Sequence, residues 1–289
     1  MLERAFSETV NLIEVVIPKM LLSMILASLL YSTPQFRRLS SRVVSTLKIK
    51  SSTVLLAFLA SKVLALSILA EMNRREIVKE KEVLATCVIG VFPMSVRGVL
   101  LLIAPVSIST LGLKLGLMYS GLELLSKFIV ALIGFYLFRD VLIGDLEREH
   151  SLEISVVECI IGTLKQFLRV VLVFIPTVFF VSILLSFISI KTDQVVVIAG
   201  TGSTVAGLSI AGSLLAKGEI DERSLMISLF IAMALHRLIE GMRFSMPINV
   251  SLFGSKLGVR LTIVNVFVNE LACLIAITLL FFSFALGLI

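Results

Sequence analysis

One apolar stretch carries His236, Arg237, Glu240 and Arg243, followed closely by Pro247 and Asn249. A charge at bilayer depth costs at least ~2.5–3.5 kcal/mol, so such groups line a cavity or pair with one another. His236 and Glu240 are spaced i,i+4, and Glu240 and Arg243 i,i+3, which puts them on one helix face. Glu240 can pair with Arg243 or with Arg237. Either choice leaves positive charge for an anionic ligand group. A second polar stripe holds Asn265, Asn269 and Glu270. A third holds Glu123 and Lys127, in the order that favours an intrahelical bridge. Arg97 stands alone beside Gly98 in another apolar run. This chemistry suits binding rather than bond-making. The two histidines, His150 and His236, fall in no HExxH motif, no GxSxG occurs, and no enzyme is expected. Cys87, Cys159 and Cys273 are far apart and apolar-flanked, so neither a disulfide framework nor a metal motif follows. No cofactor is expected.

The elements that must position these residues are apolar. The chain has 289 residues, is 58% hydrophobic and has a mean hydropathy of +1.08, which excludes an ordinary soluble domain. Apolar stretches at 13–31, 53–70, 83–108, 117–138, 167–190, 195–216, 225–247 and 259–289 reach or approach the ~20 residues of a membrane span. The first is not a typical signal peptide, because Glu3, Glu8 and Glu14 precede it. The net charge of +6 sits in short loops and is no nucleic-acid signal. The expected class is an all-α polytopic protein of the cell membrane, whose partners are the lipid bilayer and a small solute, with a homodimer admitted.

The chain also repeats itself. Pro105, Ser109, Gly112, Lys114, Leu115 and Gly116 match Pro247, Ser251, Gly254, Lys256, Leu257 and Gly258 at a constant offset of 142. Ile17-Pro18 pairs with Ile175-Pro176, and Ser52-Thr53-Val54 with Ser203-Thr204-Val205. The offset sets Glu123 opposite Asn265 and Lys127 opposite Asn269. The reading is two homologous halves, 1–140 and 159–289, joined by a linker or interfacial helix at 141–158. Internally duplicated membrane chains bind solutes where the halves meet, and paired helix breaks point to the site.

Charge sets the orientation. Loops 32–50 and 71–82 are densely basic, and both face the cytoplasm only if the segment between them does not cross. Ser51–Ala70 is therefore expected to be a re-entrant hairpin, and Val195–Ala216 its counterpart in an inverted second half. Positions 40 and 75 then lie on the cytoplasmic side. The rival layout is eight full spans in parallel halves. The hairpin tips are expected at Ser52–Thr53 and at Thr201, Gly202, Ser203 and Thr204. With Gly202 at a tight tip, Val there should be worse than Val at Gly212.

From Gly202-Ser-Thr-Val-Ala through His236-Arg237, Arg243 and Pro247 to Phe253-Gly254-Ser-Lys-Leu-Gly258, the chain resembles archaeal membrane proteins of the nucleoside recognition (Gate) domain family. The same domain occurs in the membrane part of ferrous iron transporter B, in concentrative nucleoside transporters and in spore maturation membrane proteins. The resemblance implies inverted repeats with re-entrant hairpins and admits a nucleoside-like substrate. There is no GxxxxGK[ST], hence no GTPase domain. The expected function is transport of a small polar or anionic solute. The expected site is Ser52, Thr53, Arg97, Glu123, Thr201, Gly202, Ser203, Thr204, His236, Glu240, Arg243, Asn249, Asn265 and Asn269. The other reading is a structural or regulatory membrane protein without transport activity.

Overall fold

The computed structural model describes residues 51–143 and 192–286, with scattered positions in 10–21 and 161–172. Ile17, Ile175 and Pro176 of the upstream match, position 40 and most of the linker lie outside the described residues. Among the described residues the fold is all helix, with no strand.

A short helix α1 (Ser52–Ala60) is followed by α2 (Lys62–Arg74), against which it packs. Then come α3 (Glu80–Gly98), a π-helical turn (Val99–Ile103), α4 (Ala104–Leu137) and the short α5 (Arg139–Leu142). The second set is α6 (Thr192–Gly202), α7 (Thr204–Ala216), α8 (Glu222–Glu240), a π-helical turn (Gly241–Ser245) and α9 (Met246–Ala285). The bounds of α8 and of its π turn lie 142 positions after those of α3 and its π turn. So do the hairpin breaks. Ser61 (φ −161, ψ 132) separates α1 from α2, and Ser203 (φ −157, ψ 121) separates α6 from α7.

That register corrects the expected hairpin alignment. Ser203 corresponds to Ser61, not to Ser52. Ser52 is buried in the first turn of α1, far in sequence from the break, and its neighbour Ser51 bonds Thr86 Oγ1 at 2.7 Å. The break needs only one extended residue, which any side chain allows, so no glycine marks it. Gly202 has no positive φ and open space at its Cβ position. The close approaches are elsewhere. A Cβ on Gly207 would lie 2.5 Å from Gly200 Cα, so these glycines let α6 and α7 touch. A Cβ on Gly212 would lie 2.3 Å from the Thr110 carbonyl oxygen. The expected ranking therefore reverses. Gly212→Val should lower the melting temperature of the purified protein, and Gly202→Val should leave it within a degree or two, as overpacking costs about 1–3 kcal/mol and an open site nothing comparable. Equal melting of the two variants would contradict the contact with Thr110.

The π turns have a common cause. Pro105 and Pro247 lie at the second position of α4 and α9, just after the turns. A proline ring clashes with the carbonyl four residues back and removes one donor. A wider turn relieves both. Beyond it, Gly112 (φ 82, ψ 171) breaks α4 and Gly254 (φ 78, ψ 168) breaks α9. That conformation is essentially restricted to glycine. The chain reverses there: Ser107 Oγ lies 3.0 Å from the Gly116 carbonyl oxygen and 2.8 Å from Ser120 Oγ. In the second half Asn249 Nδ2 donates to Thr262 Oγ1 at 3.0 Å, with both residues 142 positions on. The runs Glu80–Leu137 and Met246–Ala285 are long and apolar enough to cross a membrane.

The halves interlock reciprocally. Leu111, Leu115 and Tyr119 of α4 enter the core built by α6, α7 and α8. Leu257 and Leu261 of α9, with Phe253 against them, enter the core built by α1, α2 and α3. Each of these α9 residues lies 142 positions after its α4 counterpart. Two exposed ion pairs also join the halves, with only their glutamates at counterpart positions. Lys114 pairs with Glu222 at 4.0 Å, and Arg260 pairs with Glu80 at 3.6 Å. The two glutamates open α8 and α3 at equivalent positions.

At the start of α8, Asp221 Oδ2 accepts from the Ser224 N–H at 3.0 Å, which holds its carboxyl below the ordinary aspartate value. A depressed folded value stabilises the protein above the unfolded value, and that stabilisation is lost as pH falls through the folded one. Asp221→Ala should cost about 1 kcal/mol at neutral pH. The gap in melting temperature from wild type should close as pH drops toward about 3. A gap independent of pH would contradict the cap.

Candidate functional site

The interlock leaves a polar cavity of about 180 Å³ between the halves. α2 contributes Lys62, its first residue, directly after the hairpin break. The end of α3 contributes Ser95, Arg97 and Gly98, and α4 contributes Glu123. The end of α8 and its π turn contribute Arg237, Glu240 and Ser245, and α9 contributes Asn265 and Asn269. A smaller adjoining cavity shares Lys62 and Asn265 and adds Asn249 and Cys87. Breaks put these groups at depth. The hairpin break brings a helix start to the cavity, and the π turn brings Ser245 round to Lys62, whose Nζ donates to Ser245 Oγ at 2.8 Å.

Arg237 is the hub. It meets Glu240 Oε2 at 3.0 Å and Glu123 Oε1 at 3.5 Å, so one guanidinium ties a carboxylate of its own helix to one from the other half. Glu123 is 1% exposed, and its second oxygen, Oε2, has no hydrogen-bond partner among the described residues. Arg237 keeps 28% of its side-chain surface because it borders the cavity. Arg97 also borders the cavity and forms no hydrogen bond or ion pair among the described residues. Lys127, buried one turn beyond Glu123, donates to Asn269 Oδ1. These two residues are exact repeat counterparts, so their contact marks the line where the halves meet. Asn269 Nδ2 in turn donates to the Asn265 carbonyl at 2.7 Å.

Of the expected site residues, the structure brings Arg97, Glu123, Glu240, Asn265 and Asn269 to the main cavity and Asn249 to its neighbour. It sets His236 apart. The His236 Nδ1 lies 3.1 Å from the Thr201 carbonyl oxygen, which can only accept, so Nδ1 carries the proton and fastens α8 to the end of α6. Thr201 Oγ1 bonds back to the Val197 carbonyl at 2.7 Å, and Ser203 Oγ accepts from the Ala206 N–H, so both serve their own helices. Gly202 and Thr204 flank that break and do not line the cavity. Ser52 is buried in the α1 core, away from the cavity. The side chains of Thr53 and Arg243 lie outside the described residues.

Four contributors escaped the sequence reading: Lys62, Ser95, Arg237 as the hub, and Ser245. Spacing could not choose between Arg237 and Arg243, each three residues from Glu240. Arg237 takes a second carboxylate, Glu123, from the other half. For the same reason the i,i+4 bridge between Glu123 and Lys127 is replaced by two contacts across the halves.

The chain is 26% identical over 243 residues to the uncharacterized protein MJ0880 of Methanocaldococcus jannaschii, covering 74% of this chain and 78% of that protein. It is 27% identical over 256 residues to the uncharacterized protein MJ0871 of the same archaeon, covering 81% and 78%. No protein-family profile matches the chain. No solved structure matches it.

Proposed function

We propose that this chain is a multi-pass membrane protein of two inverted Gate-like halves, and that the cavity between them binds a small polar or anionic solute for transport. The carrying observation is the cavity itself. Five ionisable side chains, from both halves, converge on one space at the ends of broken helices. Charge buried this way costs stability, and its usual return is a solute path. Several waters or a small solute fit the volume, since a water needs about 10–15 Å³ by this measure.

The surface ion pairs support inversion. In an inverted layout Lys114 and Glu222 share the outer face, and Arg260 and Glu80 share the cytoplasmic face. Eight spans in parallel halves would put the members of each pair on opposite sides of a core ~30 Å thick. Both pairs lie within 4.0 Å. Cysteine placed at Arg75 should be labelled only from the cytoplasm, and cysteine at Glu219 only from outside. Labelling of both from one side would overturn inversion.

Transport is tested with the purified protein in a thermal-shift screen of nucleosides, divalent metals and small organic acids, followed by uptake into proteoliposomes. A solute that binds only the folded state raises the melting temperature with concentration. The expected result is a concentration-dependent rise with at least one carboxylate-bearing solute, lost in Arg97→Met, and uptake of that solute. The second reading, a structural membrane protein, draws on the Lys127–Asn269 and Glu123–Arg237 contacts, which also fasten the halves. Absence of any ligand-dependent shift, with no uptake, would favour it.

A further inference from the structure

Within the solute-binding reading just given, on which this step rests, the unused valences of the cavity define the solute. Arg237 is already engaged by two carboxylates, although its buried Nε has no partner among the described residues. Arg97 has no partner among the described residues, and Lys62 has a single hydrogen bond there, to Ser245 Oγ, although an ammonium carries three donors. These two cations are therefore unspent. On the opposite sign, Glu123 lines the cavity, and its covered oxygen, Oε2, has no hydrogen-bond partner among the described residues. An ionised carboxylate is an acceptor only, and leaving it unpaired at this depth is costly. The side chain is 1% exposed, so bulk water does not satisfy it. The cavity thus lacks one anionic group facing Lys62 and Arg97, and one donor, best a cation, facing Glu123.

We infer that the solute is an amino-carboxylate zwitterion of amino-acid size, its carboxylate held by Lys62 and Arg97 and its ammonium by the Glu123 carboxylate. The volume of about 180 Å³ suits a solute of a few heavy atoms better than a nucleoside with its base and sugar. Asn265 and Asn269 border the same space and supply neutral polar groups for the remainder. A simple anion would leave the Glu123 oxygen unpaired, and a simple amine would leave Lys62 and Arg97 without a new acceptor and add to the cavity's single net positive charge. Each half-molecule therefore forfeits what the zwitterion gains.

The experiment uses the full chain in detergent and matched probes: L-alanine, propionate, which lacks the ammonium, and ethylamine, which lacks the carboxylate. Binding is read by calorimetry and thermal shift. Net charge alone would favour propionate, because the cavity's five charges sum to one positive. The expected result is the opposite order, with alanine at least tenfold tighter than either partial probe. In Glu123→Gln that preference over propionate should disappear, while Arg97→Met should weaken alanine and propionate alike. Propionate binding as tightly as alanine to the wild-type protein would overturn the zwitterion and leave the carboxylate reading standing. No binding by any of the three would overturn both. The wild-type comparison decides even if Glu123→Gln does not fold.

Discussion

Arg237→Met is expected to destabilise the protein by about 3–5 kcal/mol, because it strands the buried Glu123 carboxylate without its counter-ion. For a chain of this size that is a fall in melting temperature on the order of 10 °C. The loss reflects the uncompensated charge more than the worth of the pair. Removing both charges should therefore recover most of it: Arg237→Met with Glu123→Gln should melt close to wild type. Glu240, the other partner, retains a large part of its side-chain surface and can be solvated when Arg237 is gone. The coupling energy follows from the double-mutant cycle. Additive effects of the two substitutions would show that Arg237 and Glu123 do not sense each other. The recovered double mutant then separates the two functional readings. A structural fastener should be indifferent to it, whereas a binding site should lose its solute.

The same residues show what the sequence could and could not convey. The glycines at 112 and 254 were legible because their backbone conformation excludes other residues, so both copies kept the type. The prolines behind the π turns were legible for a similar reason. Once these fixed the offset of 142, the pairing of Glu123 with Asn265 and of Lys127 with Asn269 followed. The hairpin breaks were not legible. An extended serine is open to every residue, so nothing forces an identity there beyond Ser61 and Ser203 themselves. The matching Ser-Thr-Val triplets drew the alignment nine positions away, and Lys62 was lost with it. Its repeat counterpart is Thr204, so no shared residue type flagged it. Contacts between halves were the other gap. Helix periodicity ranks neighbours within one helix, and the hub at Arg237 is set by a carboxylate 114 positions away.

Gly116→Val and Gly258→Val should each prevent normal folding, and to a similar degree. A Cβ at either position would lie 2.5 Å from the Cα of Ile108 or Val250, its counterpart contact. Those are backbone atoms with no rotamer to change, so the hairpin at Gly112 or Gly254 would have to open. Overpacking against side chains costs about 1–3 kcal/mol, and backbone contacts sit at or beyond the upper end. Opening the hairpin also breaks the buried bonds that close it, Ser107 with Ser120 in one half and Asn249 with Thr262 in the other. The control is Gly121, where nothing lies within 4 Å of an added Cβ. Its repeat counterpart, Ile263, is already large and 62% exposed. Gly121→Ile should therefore be neutral or stabilising by up to about 1 kcal/mol, since glycine in a helix interior is entropically costly. Yield of monodisperse protein and thermal melting read all three. Wild-type melting for Gly116→Val beside collapse of Gly258→Val would mean that only one half depends on its reversal. Equal collapse beside a stable Gly121→Ile would locate the sensitivity in the two tight crossings, because glycine content as such is the same in all three substitutions.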